Sequence, residues 1–529
     1  MLTAVSSNGE RALDENAPVA EAPADLEHEI GEDNIQVFGL DIHNPVFVIS
    51  AVLVVAFVVG TIVFIDSAGP AFSALRVWIT SKFDWTFMIA SNFFIVFSLF
   101  MAYSKLGRVR FGGPAARPRY GYPGWLAMLF AAGVGIGLMF FGVLEPVTHS
   151  LNPPLGIDPA DQATARAAGM SSAILHWGLH AWAVYAVVGL ALAFFCFNRG
   201  LPLTLRSAFY PLFGKAVWGP LGHIVDITAV LATLFGLATS LGLGAEQIAG
   251  GLNYLFGIQP SGTTKVVLIA AIIAVALVSV IAGLDKGVKR LSEFNMGLAG
   301  VLLLFVIIAG PTVVILKTVF KATADYLYYL PQLSNWIGRE DLAFYHGWST
   351  FYWAWWIAWS PFVGMFIARV SYGRTVREFI TWVLIIPTVI GITWMSSFGG
   401  TALEQLFTDG YRGVADAVPE LALFKMLEGL PYTEFMSIVG LVLIAIFFVT
   451  SADSGALVID MITAGGKMDV PVQQRVFWCV LVGLVAIVLL LGGGVSSLQA
   501  LAISVGLPFC IVLLIMCASI YKGLREEIA

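Results

Sequence analysis

Charge is scarce in this chain of 529 residues, with Asp, Glu, Lys and Arg together supplying only 12%, about half the share of an ordinary soluble domain. That scarcity excludes a soluble globular protein. A basic excess is missing too: 28 Lys and Arg face 34 Asp and Glu, for a net charge of −6. Nothing here attracts a polyanion, and nucleic acid is excluded as a partner. Only four cysteines occur, Cys196, Cys479, Cys510 and Cys517, all inside apolar runs. Without metal-ligand spacing among them they read as small core hydrophobes. No His or Cys cluster with metal spacing and no placed nucleophile and base stand out along the chain, which speaks against an enzyme. Residues 1–45 lack the basic start and apolar stretch of a cleaved signal peptide and are acidic, so they are expected to form a disordered cytoplasmic tail.

Apolar residues are what the chain has in abundance, at 58%, with a mean hydropathy of +0.87. A helix needs roughly 20 apolar residues to cross about 30 Å of hydrocarbon. Stretches of that length fall near 46–68, 86–105, 124–146, 171–197, 222–250, 264–284, 294–316, 346–369, 380–398, 433–464, 472–492 and 497–521. The expectation is an all-α membrane protein of twelve transmembrane helices over 46–521, closed by a short cytoplasmic tail at 522–529. Lys and Arg gather in cytoplasmic loops, and an even number of spans with both ends inside gives that side a two to one excess. Lys105, Arg108, Arg110, Arg117 and Arg119 form one cluster, and Lys286, Lys289 and Arg290 another. Between the seventh and eighth spans, a stretch rich in aromatics and charges reads either as an amphipathic helix at the interface or as an ordinary structured loop.

Three segments inside the spans carry chemical character. The third span holds Gly133, Gly135 and Gly137 at alternate positions, each costing about 1 kcal/mol of helix propensity relative to Ala. Unwinding is expected there, and unwound backbone at membrane depth either lines a cavity or is buried in protein. Gly133 and Gly137 equally satisfy the small-xxx-small pattern of close helix packing. The eighth span reads Phe351-Tyr352-Trp353-Ala354-Trp355-Trp356-Ile357-Ala358-Trp359. An interface belt does not readily explain so many rings, because Tyr352, Trp356 and Trp359 recur at helical spacing toward mid-membrane. The fourth span adds Trp177, Trp182 and Tyr185, within about 140° of one helix face. Two aromatic faces then serve one cavity, unless the rings only pack the core. A quaternary ammonium suits such a cavity, since it donates no hydrogen bond and is held on ring faces by cation–π attraction of up to about 2 kcal/mol or more.

The tenth span ends in Thr450-Ser451-Ala452-Asp453-Ser454-Gly455. Adjacent hydroxyls beside an unwound helix supply hard oxygen ligands for a dehydrated Na⁺; alternatively they bond back to their own helix. Asp453 is an ionisable group inside a span, a costly placement that tends to serve function, as a proton relay, a gate or a structural partner. Glu145, Asp226 and Glu246 lie in or near spans and read as markers of helix ends.

These segments resemble those of the betaine/choline/carnitine transporter family. The resemblance rests on FYWAWWIAWSPFVGMFIARVSYGRTVREF from Phe351, GVGIGLMFFGVLEP from Gly133, LHWGLHAWAVY from Leu175, LGLG from Leu241 and TSADSG from Thr450, in the same order. It implies a homotrimer of twelve-helix subunits whose third to seventh and eighth to twelfth spans form two inverted five-helix repeats, in the cell (inner) membrane. It also implies an ammonium held between Trp355, Trp356 and Trp359, an aromatic box of Trp177, Trp182, Tyr185 and Trp356, and a glycine segment (Gly133, Gly135, Gly137) whose amides approach a carboxylate. In sodium-coupled members that this chain resembles, hydroxyls matching Thr450 and Ser451 and carbonyls matching Ala131, Val134 and Phe447 hold the ion.

The chain departs from the family pattern at several positions. A second sodium site in the family uses two threonines and an aromatic matching Phe362; Thr233 fits the first, but Leu237 stands at the second. Val134 replaces a common Met, and Gly137 replaces the Asp of several choline transporters, which favours a zwitterion because an acidic group repels its carboxylate. The long basic C-terminal helix of osmosensing members is missing. The sequence thus leads to an expected secondary transporter, not an enzyme, that imports glycine betaine or a close analogue with Na⁺ as coupling ion and no cofactor. The alternative is a proton-coupled symporter or a substrate/product exchanger for choline, carnitine or a related compound.

Overall fold

A computed structural model describes residues 28–282 and 288–529. The first 27 residues of the expected tail, and Lys286 in the expected basic loop, lie outside the described residues. The described chain starts with a β-hairpin, β1 (Asn34–Val37) and β2 (Leu40–His43), followed by α1 (Val46–Val63) and α2 (Ile65–Tyr103). The third span is split into α3 (Tyr122–Gly133) and α4 (Ile136–Leu151), and the fourth into α5 (Gln162–Trp177) and α6 (Leu179–Phe197). Beyond a short α7 (Tyr210–Phe213) run α8 (Pro220–Phe256), α9 (Gly262–Ala282), α10 (Val288–Ala309) and α11 (Thr312–Leu333). A short α12 (Leu342–Phe344) leads through one π-helical turn, Tyr345–Ser349, into α13 (Thr350–Arg369). Then come α14 (Val376–Phe407), a short α15 (Ala422–Glu428), α16 (Thr433–Thr463), α17 (Val472–Gly493) and α18 (Val495–Ile528).

Among the described residues, ten helical segments are long and apolar enough to cross a membrane when α5 and α6 count as one, and eleven when α3 and α4 do as well. The protein is a multi-pass, all-α membrane protein. Of the twelve expected spans, the eighth falls outside that count: α13 is 20 residues long, but its Trp and Tyr lower its hydropathy. Burial orders the bundle. The α5–α6 segment is 89% buried and α8 78%, against 33% for α1 and for α9, so the former pair form the centre and the latter face the rim. The stretch between the seventh and eighth spans is helical over α11, with Ile315, Ala322, Tyr326 and Leu333 turned inward and Val313, Leu316, Phe320 and Tyr328 exposed.

Residues 34–43 correct the expectation of disorder up to residue 45. Apolar residues alternate through Ile35, Val37, Leu40 and Ile42, and the two-residue turn Phe38-Gly39 has φ of 50° and 79°, the left-handed pair that a tight hairpin turn requires. The hairpin then docks on the loop after α16. Asn34 Nδ2 donates to the Ala464 carbonyl at 2.9 Å, Lys467 Nζ to Asp41 Oδ2 at 2.6 Å, and the Asp41 amide to Gln474 Oε1 at 3.1 Å. Acidic composition masked this alternation. At the other end, residues up to Ile528 continue α18. Burial by itself raises the Asp41 carboxyl, but hydrogen bonds from Lys467 and Asn34 outweigh it and hold the group below its ordinary value. A depressed carboxylate stabilises docking above its unfolded value, and that contribution is lost as pH falls through the folded one. Protection of residues 34–43 from hydrogen exchange, relative to the intrinsic rate at each pH, is therefore expected to fall on acidification in the native chain and to be low throughout in Asp41→Asn; a protection factor that ignores pH contradicts the contact.

Two of the acids read as helix-end markers are paired: Asp226 lies in the second turn of α8, whereas Glu246 is ten residues inside its C-terminal end, which corrects that reading. Asp226 takes Arg206 Nε at 2.5 Å and Glu246 takes Lys265 Nζ at 2.7 Å. The cysteines are free, with Cys479, Cys510 and Cys517 buried.

Candidate functional site

Backbone breaks shape the site first. Helix α3 stops at Gly133, Val134 (φ −105°, ψ 127°) and Gly135 (φ −164°, ψ −172°) are extended, and α4 leaves at 63° to α3. This is the unwinding that the alternate glycines predict. No side chain caps α4, and the amides of its first turn have no intrahelical acceptor, so this helix end presents free donors with partial positive charge. Close packing is present as well. A Cβ at Gly137 would lie 2.3 Å from Trp177 Cη2 and 3.3 Å from Trp355 Cη2, and one at Gly133 3.3 Å from Pro387 Cβ, whereas Gly135 faces open space. The fourth span also breaks, at Gly178, where a Cβ would press at 2.6 Å on the Ile174 carbonyl. That break separates Trp177 from Trp182 and lets both face inward.

One cavity gathers the residues that the family resemblance assigns to substrate and ion. Its wall includes Gly133, Gly135 and Gly137, Trp177, Trp182 and Tyr185, Trp355, Trp356 and Trp359, together with Ala131, Val134, Phe447, Thr450 and Ser451. Trp355 and Trp356 stack at 4.7 Å and 14°, and Trp177 meets Trp356 edge to face at 4.9 Å and 71°. Trp182 and Tyr185 pack at 5.2 Å, and Tyr185 reaches Trp356 at 6.3 Å. Four of the five indoles are fixed by their N–H groups. Trp356 donates to the His176 carbonyl at 2.8 Å, Trp359 to the Gly236 carbonyl at 2.8 Å, Trp355 to that same carbonyl at 3.3 Å, and Trp177 to Glu145 Oε2 at 2.9 Å. With their N–H groups engaged behind the wall, the rings offer π faces to a bound group.

The residues expected to hold the ion meet the same wall. Thr450 Oγ1 donates back to the Ile446 and Phe447 carbonyls at 3.0 and 3.2 Å, as helical threonines commonly do, and its lone pairs stay available. Thr233 is buried, bonds to the Ala229 carbonyl at 2.8 Å and does not line the cavity. Leu237 occupies space beside Gly455, where a Cβ would lie 2.3 Å from its Cδ2, so the second hydroxyl of that arrangement is replaced by packing. Phe362 does line the cavity. Asp453 is fully buried and away from this wall.

The cavity runs from the rings toward Arg369 and Met461, near the ends of α13 and α16, on the face where the hairpin docks and α18 ends. On the opposite side His149 packs on Phe344 at 4.9 Å and on Trp348 at 4.7 Å, and His176 stacks on Tyr352 at 4.5 Å. None of these five rings lines the cavity. Glu145 sits among them, fully buried in the middle of α4, and corrects its reading as a helix-end marker. With His149 and His176 it forms a cluster whose ligand-type atoms lie within 4.8 Å of one another, although no such cluster stood out along the chain, because His176 arrives from α5. The signal that was available is an acid inside a span. Arg369 and Asn295 are further wall residues that sequence reasoning passed over.

A family profile for the betaine/carnitine/choline family transporters matches residues 45–529. The chain belongs to that family. It is 54% identical over 522 residues to a glycine betaine/proline/choline transporter of Vibrio parahaemolyticus, covering 95% of this chain and 94% of the relative. A second protein of that organism, glycine betaine transporter 1, is 50% identical over 512 residues, covering 95% and 97%. The glycine betaine transporter OpuD of Bacillus subtilis is 42% identical over 488 residues, covering 92% and 95%. Membership in the betaine/carnitine/choline family makes the chain a transporter and not an enzyme.

Proposed function

We propose that the protein imports glycine betaine, or a close methylated zwitterion, in symport with Na⁺. The observation that carries this reading is the convergence on one cavity of six aromatic rings, an uncapped helix end and a hydroxyl pair. Ring faces accept a methyl-capped ammonium that donates no hydrogen bond, and the free amides at the start of α4 suit the carboxylate at the other end of the same molecule. Ala131, Val134 and Phe447 offer main-chain carbonyls, and Thr450 and Ser451 offer hydroxyl oxygens. This donor set of hard oxygens fits a small monovalent cation. The same broken helix touches both ligands, so each strengthens binding of the other. Glycine betaine is the substrate shared by the names of the relatives above. The reading extends to twelve spans with α13 as the eighth, two inverted five-helix repeats, a homotrimer in the inner membrane, and both termini in the cytoplasm.

Uptake of labelled glycine betaine into proteoliposomes, at equal osmolarity with Na⁺ or K⁺ outside, tests the coupling. A coupling free energy of ~1.4 kcal/mol makes uptake roughly tenfold faster with Na⁺. Equal rates remove sodium from the mechanism, and stimulation by external acid instead assigns the coupling to protons.

A further inference from the structure

The wall of the cavity is backed by a group that never touches it. Glu145 is completely buried, and four side chains converge on its carboxylate. Trp177 Nε1 donates to Oε2 at 2.9 Å and Tyr352 Oη to the same oxygen at 2.7 Å; His149 Nε2 reaches Oε1 at 3.3 Å, and His176 Nδ1 binds Oε1 as well. His176 Nε2 in turn bonds Ser349 Oγ at 2.9 Å, and the His176 main-chain carbonyl accepts the Trp356 N–H at 2.8 Å. Two rings of the cage, Trp177 and Trp356, are thus tied to one carboxylate, the first directly and the second through His176.

A carboxylate surrounded by donors is acceptor-only chemistry and suits the ionised form. An indole that donates its N–H to an anion is polarised, with electron density pushed into the ring, and hydrogen-bonded groups in a low-dielectric interior polarise one another strongly. The attraction of a ring face for a cation follows that density. The negative charge itself also lies only one indole away from the cavity, where water screens it poorly.

Building on the cage reading, we propose that Glu145 is a positioning residue that makes the cage selective for positive charge. It fixes Trp177 and, through His176, Trp356, and it charges the Trp177 ring from behind. Glu145 contacts neither the solute nor the ion; it acts through the indole.

The test compares glycine betaine with 3,3-dimethylbutyrate, which has the same shape and carboxylate but an uncharged carbon in place of the ammonium nitrogen. Affinities of both are measured by calorimetry on the purified full chain in Na⁺. In Glu145→Gln the preference for betaine over its isostere is expected to fall at least fivefold, while isostere affinity moves less than twofold. Equal losses for both ligands reduce Glu145 to a packing role and overturn the proposal, as does an unchanged ratio. Tyr352→Phe, which removes one donor and leaves the charge, is expected to keep the ratio, and a loss there matching Glu145→Gln also overturns it. In a Trp177→Phe background the effect of Glu145→Gln should shrink to the part carried through His176 to Trp356 and by the charge itself, because the ring it holds directly has lost its N–H; an undiminished effect places Glu145 elsewhere and overturns the proposal. If Glu145→Gln does not fold, Glu145→Asp draws the carboxylate back from Trp177 and should lower the ratio, with no change overturning the proposal. The cage reading fails separately, if Trp356→Leu keeps its betaine affinity.

Discussion

Trp356→Leu will weaken binding of glycine betaine by roughly 30-fold or more, the equivalent of the ~2 kcal/mol that a desolvated cation–π contact supplies. Trp356 meets three of the other five rings of the cage. It stacks on Trp355, takes the edge of Trp177 and lies 6.3 Å from Tyr185. Leucine retains apolar bulk but has no quadrupole, and it leaves the His176 carbonyl without the indole N–H. Calorimetric titration of the detergent-purified variant reads the loss, and its thermal midpoint guards against simple unfolding. Affinity that survives the substitution in a folded variant would remove the aromatic cage from the mechanism.

The second large effect comes from a single added methyl group. Gly137→Ala places a carbon 2.3 Å from Trp177 Cη2, a distance that no real contact tolerates. Trp177 cannot simply swing away, because its N–H is held by Glu145 at 2.9 Å. Overpacking of this kind costs about 1–3 kcal/mol, and we expect a fall of roughly tenfold or more in betaine affinity. Gly135→Ala is the control, since open space surrounds that position and its extended backbone admits any residue. Its loss should be clearly smaller. Equal losses at 135 and 137 would mean that crowding of Trp177 is not the cause.

Sequence and structure agree where local chemistry decides the outcome. Three alternate glycines weaken a helix whatever surrounds it, and the chain does break at Gly133–Gly135. Trp356 and Trp359 of the eighth span reach one cavity with Trp177, Trp182 and Tyr185 of the fourth, although Tyr352 turns away to Glu145 and the fourth span breaks at Gly178 where one continuous helix face was expected. What stayed hidden depends on partners distant along the chain. Glu145 looked like a helix end because His176, Trp177 and Tyr352 come to it from other helices. Gly178 gave no alternation of glycines to mark the second break. The hairpin at 34–43 carried its alternating pattern in view, yet its support is a loop more than four hundred residues away, at Ala464 and Lys467. Hydropathy undercounts α13 for the reason that makes it interesting, because Trp and Tyr score as half-polar.

The lopsided reach of the cavity has a consequence for handling the protein. In this shape the vessel is tipped, its floor at the rings and its lip toward the 34–43 hairpin and the end of α18. The wall reaches toward that lip, whereas Phe344, Trp348 and Tyr352 on the far side pack about His149 and His176 and do not line it. A bulky membrane-impermeant plug carrying a trimethylammonium head is therefore expected to stall this form only when added to the compartment that faces the 34–43 hairpin and the end of α18.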